Sequence, residues 1–76
     1  LAACVNLLPA ATSIYRWEGA VETATETVML MKTTEDRLGE LRDRTIGLHP
    51  YEVPEFIAVE IVAGHASYLK WIGEST

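Results

Sequence analysis

The sequence is poor in three features that mark common classes of small protein. It has one cysteine, Cys4, so no disulfide can form within the chain, and a lone thiol fits a reducing cytosol. No apolar run reaches the roughly 18–20 residues that span a bilayer. The sequence has six basic and eleven acidic residues, which gives a net charge of −5. This charge argues against nucleic-acid binding, which needs clustered Lys and Arg. We therefore expect a cytoplasmic protein that binds neither nucleic acid nor membranes.

Motifs of the common enzyme classes are missing as well. The sequence contains no nucleophile–base arrangement, no phosphate-cradling glycine loop and no zinc-type spacing of Cys and His. We therefore expect a protein that is not an enzyme and that has no essential cofactor.

Apolar residues, in contrast, are abundant. They make up 49% of a chain of 76 residues, which is the size of one small domain. Domains of this size bury a modest share of their surface and are marginally stable alone. The composition therefore fits a protein that buries additional surface between subunits.

A long β-hairpin is predicted for the first half of the chain. Residues 4–8 and 13–17 read as one strand or as two strands linked by Pro9, whose missing N–H favours an edge position or a bulge. Residues 18–20 supply a turn, and a return strand runs from about Val21 to Lys32. The return strand is polar in its first half and apolar in its second half, which predicts a hairpin tip that protrudes beyond the core.

A helix, a strand and a closing helix are predicted for the second half. Thr33 and Thr34 form a helix N-terminal signal, and the amphipathic pattern that follows ends near His49 and Pro50. In residues 55–62, Ile57, Val59 and Ile61 occupy alternate positions and would share one face of an extended chain, which predicts a strand. The closing helix contains Tyr68, Leu69, Trp71 and Ile72.

This order of elements predicts an α+β domain of the ferredoxin-like, split β-α-β sandwich type. In that plan one more strand lies between the return strand and the last strand. Without it the sheet would be cut in two, and unpaired backbone groups would remain. We therefore expect that residues 1–76 are a single domain that is incomplete at its N-terminus. The missing strand and helix would take on the order of 20–30 residues.

Five short motifs are spread along the whole chain. They are residues 1–6, Ser13-Ile14-Tyr15 with Trp17 and Gly19, Lys32-Thr33, residues 48–55, and Tyr68-Leu69 with Trp71-Ile72. In order and spacing they resemble the CutA family of divalent-cation (copper) tolerance proteins, and His-Pro-Tyr-Glu-Val-Pro-Glu is the most specific motif. The resemblance implies a ferredoxin-like fold and a homotrimer with the architecture of PII signalling proteins. It also implies a role in the response to copper and other metal ions.

The candidate metal ligands are His49, Cys4 and Glu52, for copper or another divalent cation. His49, Tyr51 and Glu52 lie in a helix-to-strand connection, where function often concentrates. They can form a metal or small-anion pocket. Alternatively His49 caps the helix, Tyr51 packs and Glu52 pairs with a base. Cys4 is either a soft ligand for Cu(I) or a small buried apolar side chain.

Two further groups of residues are candidates for ligand binding and for assembly. Lys32, Tyr51, Tyr15 and Trp71 would form a ligand pocket if they converge between subunits, as in a PII-like signalling or scaffold protein. Trp17 and Tyr15 alternate near the hairpin tip and, with Glu22, are predicted at a trimer interface, with ligand stacking as the alternative. The main hypothesis is a non-enzymatic, trimeric metal-binding protein, and the PII-like role is the alternative.

Overall fold

A computed structural model describes residues 1–76, which form two strands and two helices. The strands are β1 (Cys4–Trp17) and β2 (Ala20–Lys32), and the helices are α1 (Glu35–Leu48) and α2 (Ala66–Ser75). Neither helix has the length and apolar character needed to cross a membrane.

The two strands form the predicted hairpin. They pair antiparallel from Cys4 opposite Lys32 to Trp17 opposite Ala20. At a rise of about 3.3 Å per residue, a strand as long as β1 spans about 46 Å, and the longest dimension of the molecule is 45 Å. The radius of gyration is 14.8 Å, whereas a compact chain of this length has about 11.4 Å. The hairpin therefore extends beyond the rest of the chain, as the polarity of the return strand predicted.

A β-bulge keeps β1 a single strand across Pro9. The register shifts between Leu8 and Ala11, and Ala10 has a φ of 59°, in the left-handed region. Because Pro9 has no N–H to donate, the bulge removes it from the ladder. The hairpin turn consists of Glu18 (φ 49°) and Gly19 (φ 80°), the backbone of a two-residue type I′ turn. Ala20, predicted within the turn, begins β2 instead.

The two helices confirm the predicted amphipathic segments. Thr34 is the N-cap residue of α1, and Glu35 in the first turn interacts favourably with the helix dipole. Leu41 is the buried residue of α1, and Ile72 is the buried residue of α2.

The strand predicted at residues 55–62 is not formed, which corrects the sequence prediction. These residues run without a helix, turn or bend. None of the 33 backbone–backbone hydrogen bonds involves residues 50–64. A strand exists only where a neighbour supplies hydrogen-bond partners, and the sheet contains β1 and β2 alone. The alternating pattern of residues 55–62 is therefore that of a strand, but no other strand of this chain pairs with the segment.

The buried core is very small. Only Leu41 and Ile72 are buried, at 8% and 4% exposure, while Val59 in the unpaired segment is 86% exposed. The accessible surface is 6277 Å², compared with about 4,600 Å² for a compact monomer of this mass. The chain therefore exposes about 1,700 Å² more surface than a compact monomer of its mass would.

Candidate functional site

The largest cavity, of about 1160 Å³, lies between β2, α1 and the segment that follows α1. We call it the β2 cleft. One wall is formed by residues 26–32 of β2, and another by residues 55–61. Leu38, Leu41 and Thr45 of α1 also line it.

Most of the predicted pocket residues line this cleft. Tyr15, Lys32 and Tyr51 do so, together with the candidate metal ligands His49 and Glu52. Trp71 does not. It lies on α2, with its ring centroid 5.7 Å from that of Tyr68. One chain therefore brings together the hairpin and the residues after α1, which are far apart in sequence.

His49 and Tyr51 form a local unit at the end of α1. His49 is the C-cap residue of the helix, and its backbone N–H donates to the Ile46 carbonyl at 3.3 Å. The Tyr51 backbone N–H donates to Nδ1 of His49 at 3.2 Å, and the two rings meet edge to face at 4.5 Å. A neutral imidazole has one lone-pair nitrogen, and Nδ1 uses it here. A cation can therefore bind His49 only in competition with the Tyr51 N–H.

Cys4 lies in a different group of side chains. It is half-buried and pairs across the strands with Lys32, whose Nζ donates to Oδ1 of Asn6. The Cys4 Sγ lies 4.0 Å from the same Asn6 oxygen. Cys4 does not line the cleft, and no three His, Cys, Asp or Glu side chains of this chain are placed to hold a metal ion. Cys4, His49 and Glu52 therefore do not form a three-ligand site within one chain.

The predicted interface residues share one face of the hairpin near its tip. Tyr15 lies opposite Glu22, and Trp17 lies opposite Ala20. Tyr15 is 43% exposed and Trp17 is 40% exposed. On the other face, Ile14 and Val21 are more exposed still. Both faces of the tip thus present large side chains that nothing in this chain covers.

The cleft is lined by more negative than positive charge. Glutamates line it on every wall (Glu26, Glu35, Glu52, Glu55 and Glu60), whereas Lys32 is its one Lys or Arg. The three ion pairs of the chain lie on α1 and α2, and none involves these glutamates. Beside the cleft, the Thr34 hydroxyl lowers the pKa of the Asp36 carboxyl, and Arg37 lowers it further. Sequence reasoning missed Glu55 and Glu60 as lining residues because it placed residues 55–62 within a sheet.

The chain combines a two-stranded antiparallel sheet with two helices, and its close superposition on solved structures places it in the ferredoxin-like class of α+β folds. The family model described as CutA1 divalent ion tolerance protein matches residues 1–75. The chain belongs to this family.

Relatives with known names and structures agree with this assignment. The divalent-cation tolerance protein CutA of Thermus thermophilus is 49% identical over 76 residues, which are 100% of this chain and 74% of that protein. Human protein CutA is 45% identical over the whole chain, which spans 42% of the human protein. The Thermus thermophilus structure has a TM-score of 0.95 at 48% identity, over 99% of this chain and 73% of that one. A Nostoc structure, described as the PII-like protein CutA in apo form, has a TM-score of 0.93 at 38% identity over the same shares.

Proposed function

We propose that this chain is a non-enzymatic, cytoplasmic protein of divalent-cation tolerance that acts as a homotrimer. We further propose that it binds copper or another divalent cation at sites shared between subunits. Membership of the CutA1 divalent ion tolerance family carries this proposal. The free thiol of Cys4 supports a reducing compartment.

Exposed apolar surface supports the assembly. The accessible surface of 6277 Å² exceeds that of a compact monomer by about 1,700 Å². Large apolar side chains are exposed on both strands, among them Leu7, Ile14 and Val21, and monomeric proteins rarely leave large apolar patches uncovered. Trp17 and Tyr15 at the hairpin tip are aromatic residues of the kind enriched at interface cores.

Donor chemistry supports shared cation sites. His49 and Glu52 both line the cleft, and a single chain lacks a third ligand beside them. A neighbouring subunit would supply it, and Cys4 of that subunit is the donor that would favour Cu(I). The acidic lining of the cleft would raise the local cation concentration. Because cation binding at Nδ1 of His49 displaces the Tyr51 N–H, we expect modest affinity.

The experiment combines solution mass with calorimetric titration of Zn²⁺ and of copper, both as Cu²⁺ and as Cu(I) under reducing conditions. We expect a trimer by light scattering with and without copper, and tighter binding of copper than of zinc. His49→Ala and Cys4→Ala should each weaken copper binding. His65→Ala is the control, because His65 is the exposed N-cap residue of α2 and does not line the cleft. A monomeric mass would contradict the assembly, and equal copper binding by all three variants would contradict the site.

A PII-like signalling or scaffold role with a small ligand in the cleft is the second candidate. It is supported by Tyr15, Lys32 and Tyr51 lining one cavity. It ranks second because five glutamates and a single lysine line the cleft, an unfavourable environment for an anionic ligand. Thermal unfolding with a panel of metabolites separates the two roles, because a ligand that binds only the native state raises its melting temperature.

A further inference from the structure

A second cavity, of about 260 Å³, lies between β2 and the end of α1. We call it the Met29 cavity. The residues that line it are Met29, Thr45, Leu48, His49 and Pro50. Pockets for small organic ligands commonly measure about 300–1,000 Å³, so the volume of the Met29 cavity suits a smaller occupant, such as a metal ion.

Two of the lining residues carry atoms that bind soft metal ions. Met29 has a thioether sulfur and lies on β2, whereas His49 has an imidazole and is the C-cap residue of α1. The fold brings both to one cavity. Thioether ligands select Cu(I), and imidazole also suits copper. His, Cys, Asp and Glu form no group of three in this chain, but Cu(I) is stable with as few as two soft donors.

The rest of the wall sets the charge of the ion. Thr45, Leu48 and Pro50 are uncharged, and none of the glutamates that line the β2 cleft lines the Met29 cavity. A divalent ion held by neutral donors beside apolar side chains would leave two uncompensated charges, whereas Cu(I) leaves one. Met29 is 49% exposed, so an ion has an entry path from solvent. The cavity therefore favours Cu(I) over Zn²⁺.

We propose that Met29 and His49 bind Cu(I) within one chain. This inference rests on the proposed copper binding and deepens it, because it names the oxidation state of the ion and a thioether ligand from the same chain. Nδ1 of His49 accepts a hydrogen bond from the Tyr51 N–H, and a neutral imidazole has one lone-pair nitrogen. Cu(I) binding therefore breaks this bond, and the NMR signal of the Tyr51 amide should shift when the site fills.

Two leucine variants provide a matched comparison. Met29 and Met31 lie on the same strand and are the two methionines of the chain, but Met31 does not line the Met29 cavity. Leucine has nearly the volume of methionine and lacks the sulfur, so both variants should keep the same circular dichroism. Both are made in the Cys4→Ala chain, so that a thiolate cannot mask the loss of a thioether.

Competition with a chromophoric Cu(I) chelator, under reducing conditions, measures the affinity of each variant. Met29→Leu should weaken Cu(I) binding at least about tenfold, the lower end of the loss that follows when a partner is removed from a metal site. Met31→Leu should leave the affinity unchanged. Equal Cu(I) affinity in the two variants would overturn the inference.

Titration with Zn²⁺ distinguishes a ligand from a residue that only supports the position of His49. Zinc binds thiolate, imidazole and carboxylate groups, so Met29→Leu should not change its affinity. If Met29→Leu weakens Zn²⁺ and Cu(I) binding by the same factor, Met29 has a structural role and the inference is wrong.

X-ray absorption at the copper edge identifies the ligand directly in chains that carry selenomethionine. Copper bound to the Met31→Leu chain should have a selenium neighbour, and copper bound to the Met29→Leu chain should have none. If copper binds but neither chain shows selenium, the Met29 site is wrong and the proposed copper binding stands. A chain that binds neither Cu(I) nor Cu²⁺ would contradict the proposed function as well.

Discussion

Replacement of Trp17 by alanine tests whether the hairpin tip forms the trimer interface. The indole is 40% exposed in the single chain. Trp contributes up to about 250 Å² of surface, so about 100 Å² remains to be buried, worth about 2.5 kcal/mol at 25 cal/mol per Å². Three equivalent contacts would contribute about 7.5 kcal/mol per trimer, a factor of about 10⁵ to 10⁶ in the dissociation constant. Because the dissociation constant of a trimer has units of concentration squared, the protein concentration at which half of the trimer dissociates should rise by a few hundredfold.

Sedimentation equilibrium over a dilution series measures this midpoint. Leu48→Ala is the comparison, because Leu48 is an exposed apolar residue at the end of α1, far from the tip in the sequence. We expect it to leave the midpoint unchanged. If Trp17→Ala shifts the midpoint no more than Leu48→Ala does, the hairpin tip is not the interface.

Two further predictions concern the fold around the site. Ala10 has a left-handed backbone, so Ala10→Gly should raise the free energy of unfolding by about 0.5–1 kcal/mol, whereas Ala11→Gly in regular strand should lower it by a similar amount. Urea unfolding followed by circular dichroism checks both, and a loss of stability in Ala10→Gly would contradict the bulge geometry. The Thr34 hydroxyl lowers the pKa of Asp36, so the stabilisation by this carboxylate is present above its unfolded pKa and is lost as the pH falls below about 4. Thr34→Ala should raise the pKa of Asp36 in a carboxyl NMR titration, and an unchanged value would exclude the hydroxyl as the cause.

The sequence predicted structural features correctly where they depend on neighbouring residues or on a specific motif. The missing N–H of Pro9 predicted either an edge position or a bulge, because proline cannot donate to the ladder, and the structure has the bulge. Thr34 and the apolar spacing after it predicted α1. The motif around His49 and Tyr51 predicted the family, which the match over residues 1–75 confirms.

The strand at residues 55–62 was predicted wrongly because β-structure is not a local property. Ile57 and Val59 have the alternation of a half-buried strand, but alternation supplies no hydrogen bonds. The partner of a strand comes from elsewhere in the sheet, and the sheet of this chain ends at β2.

The sequence alone determined the hairpin, the two helices, the charge balance and the family, because each depends on neighbouring residues or on a specific motif. Tertiary structure alone decided which side chains meet. It brought Lys32 and Tyr15 of the hairpin into one cleft with His49, Tyr51 and Glu52, and it left Trp71 and Cys4 outside. Convergence of this kind depends on how the hairpin, α1 and the following segment pack in three dimensions. Residues that are distant in the sequence carry no local signal of such packing.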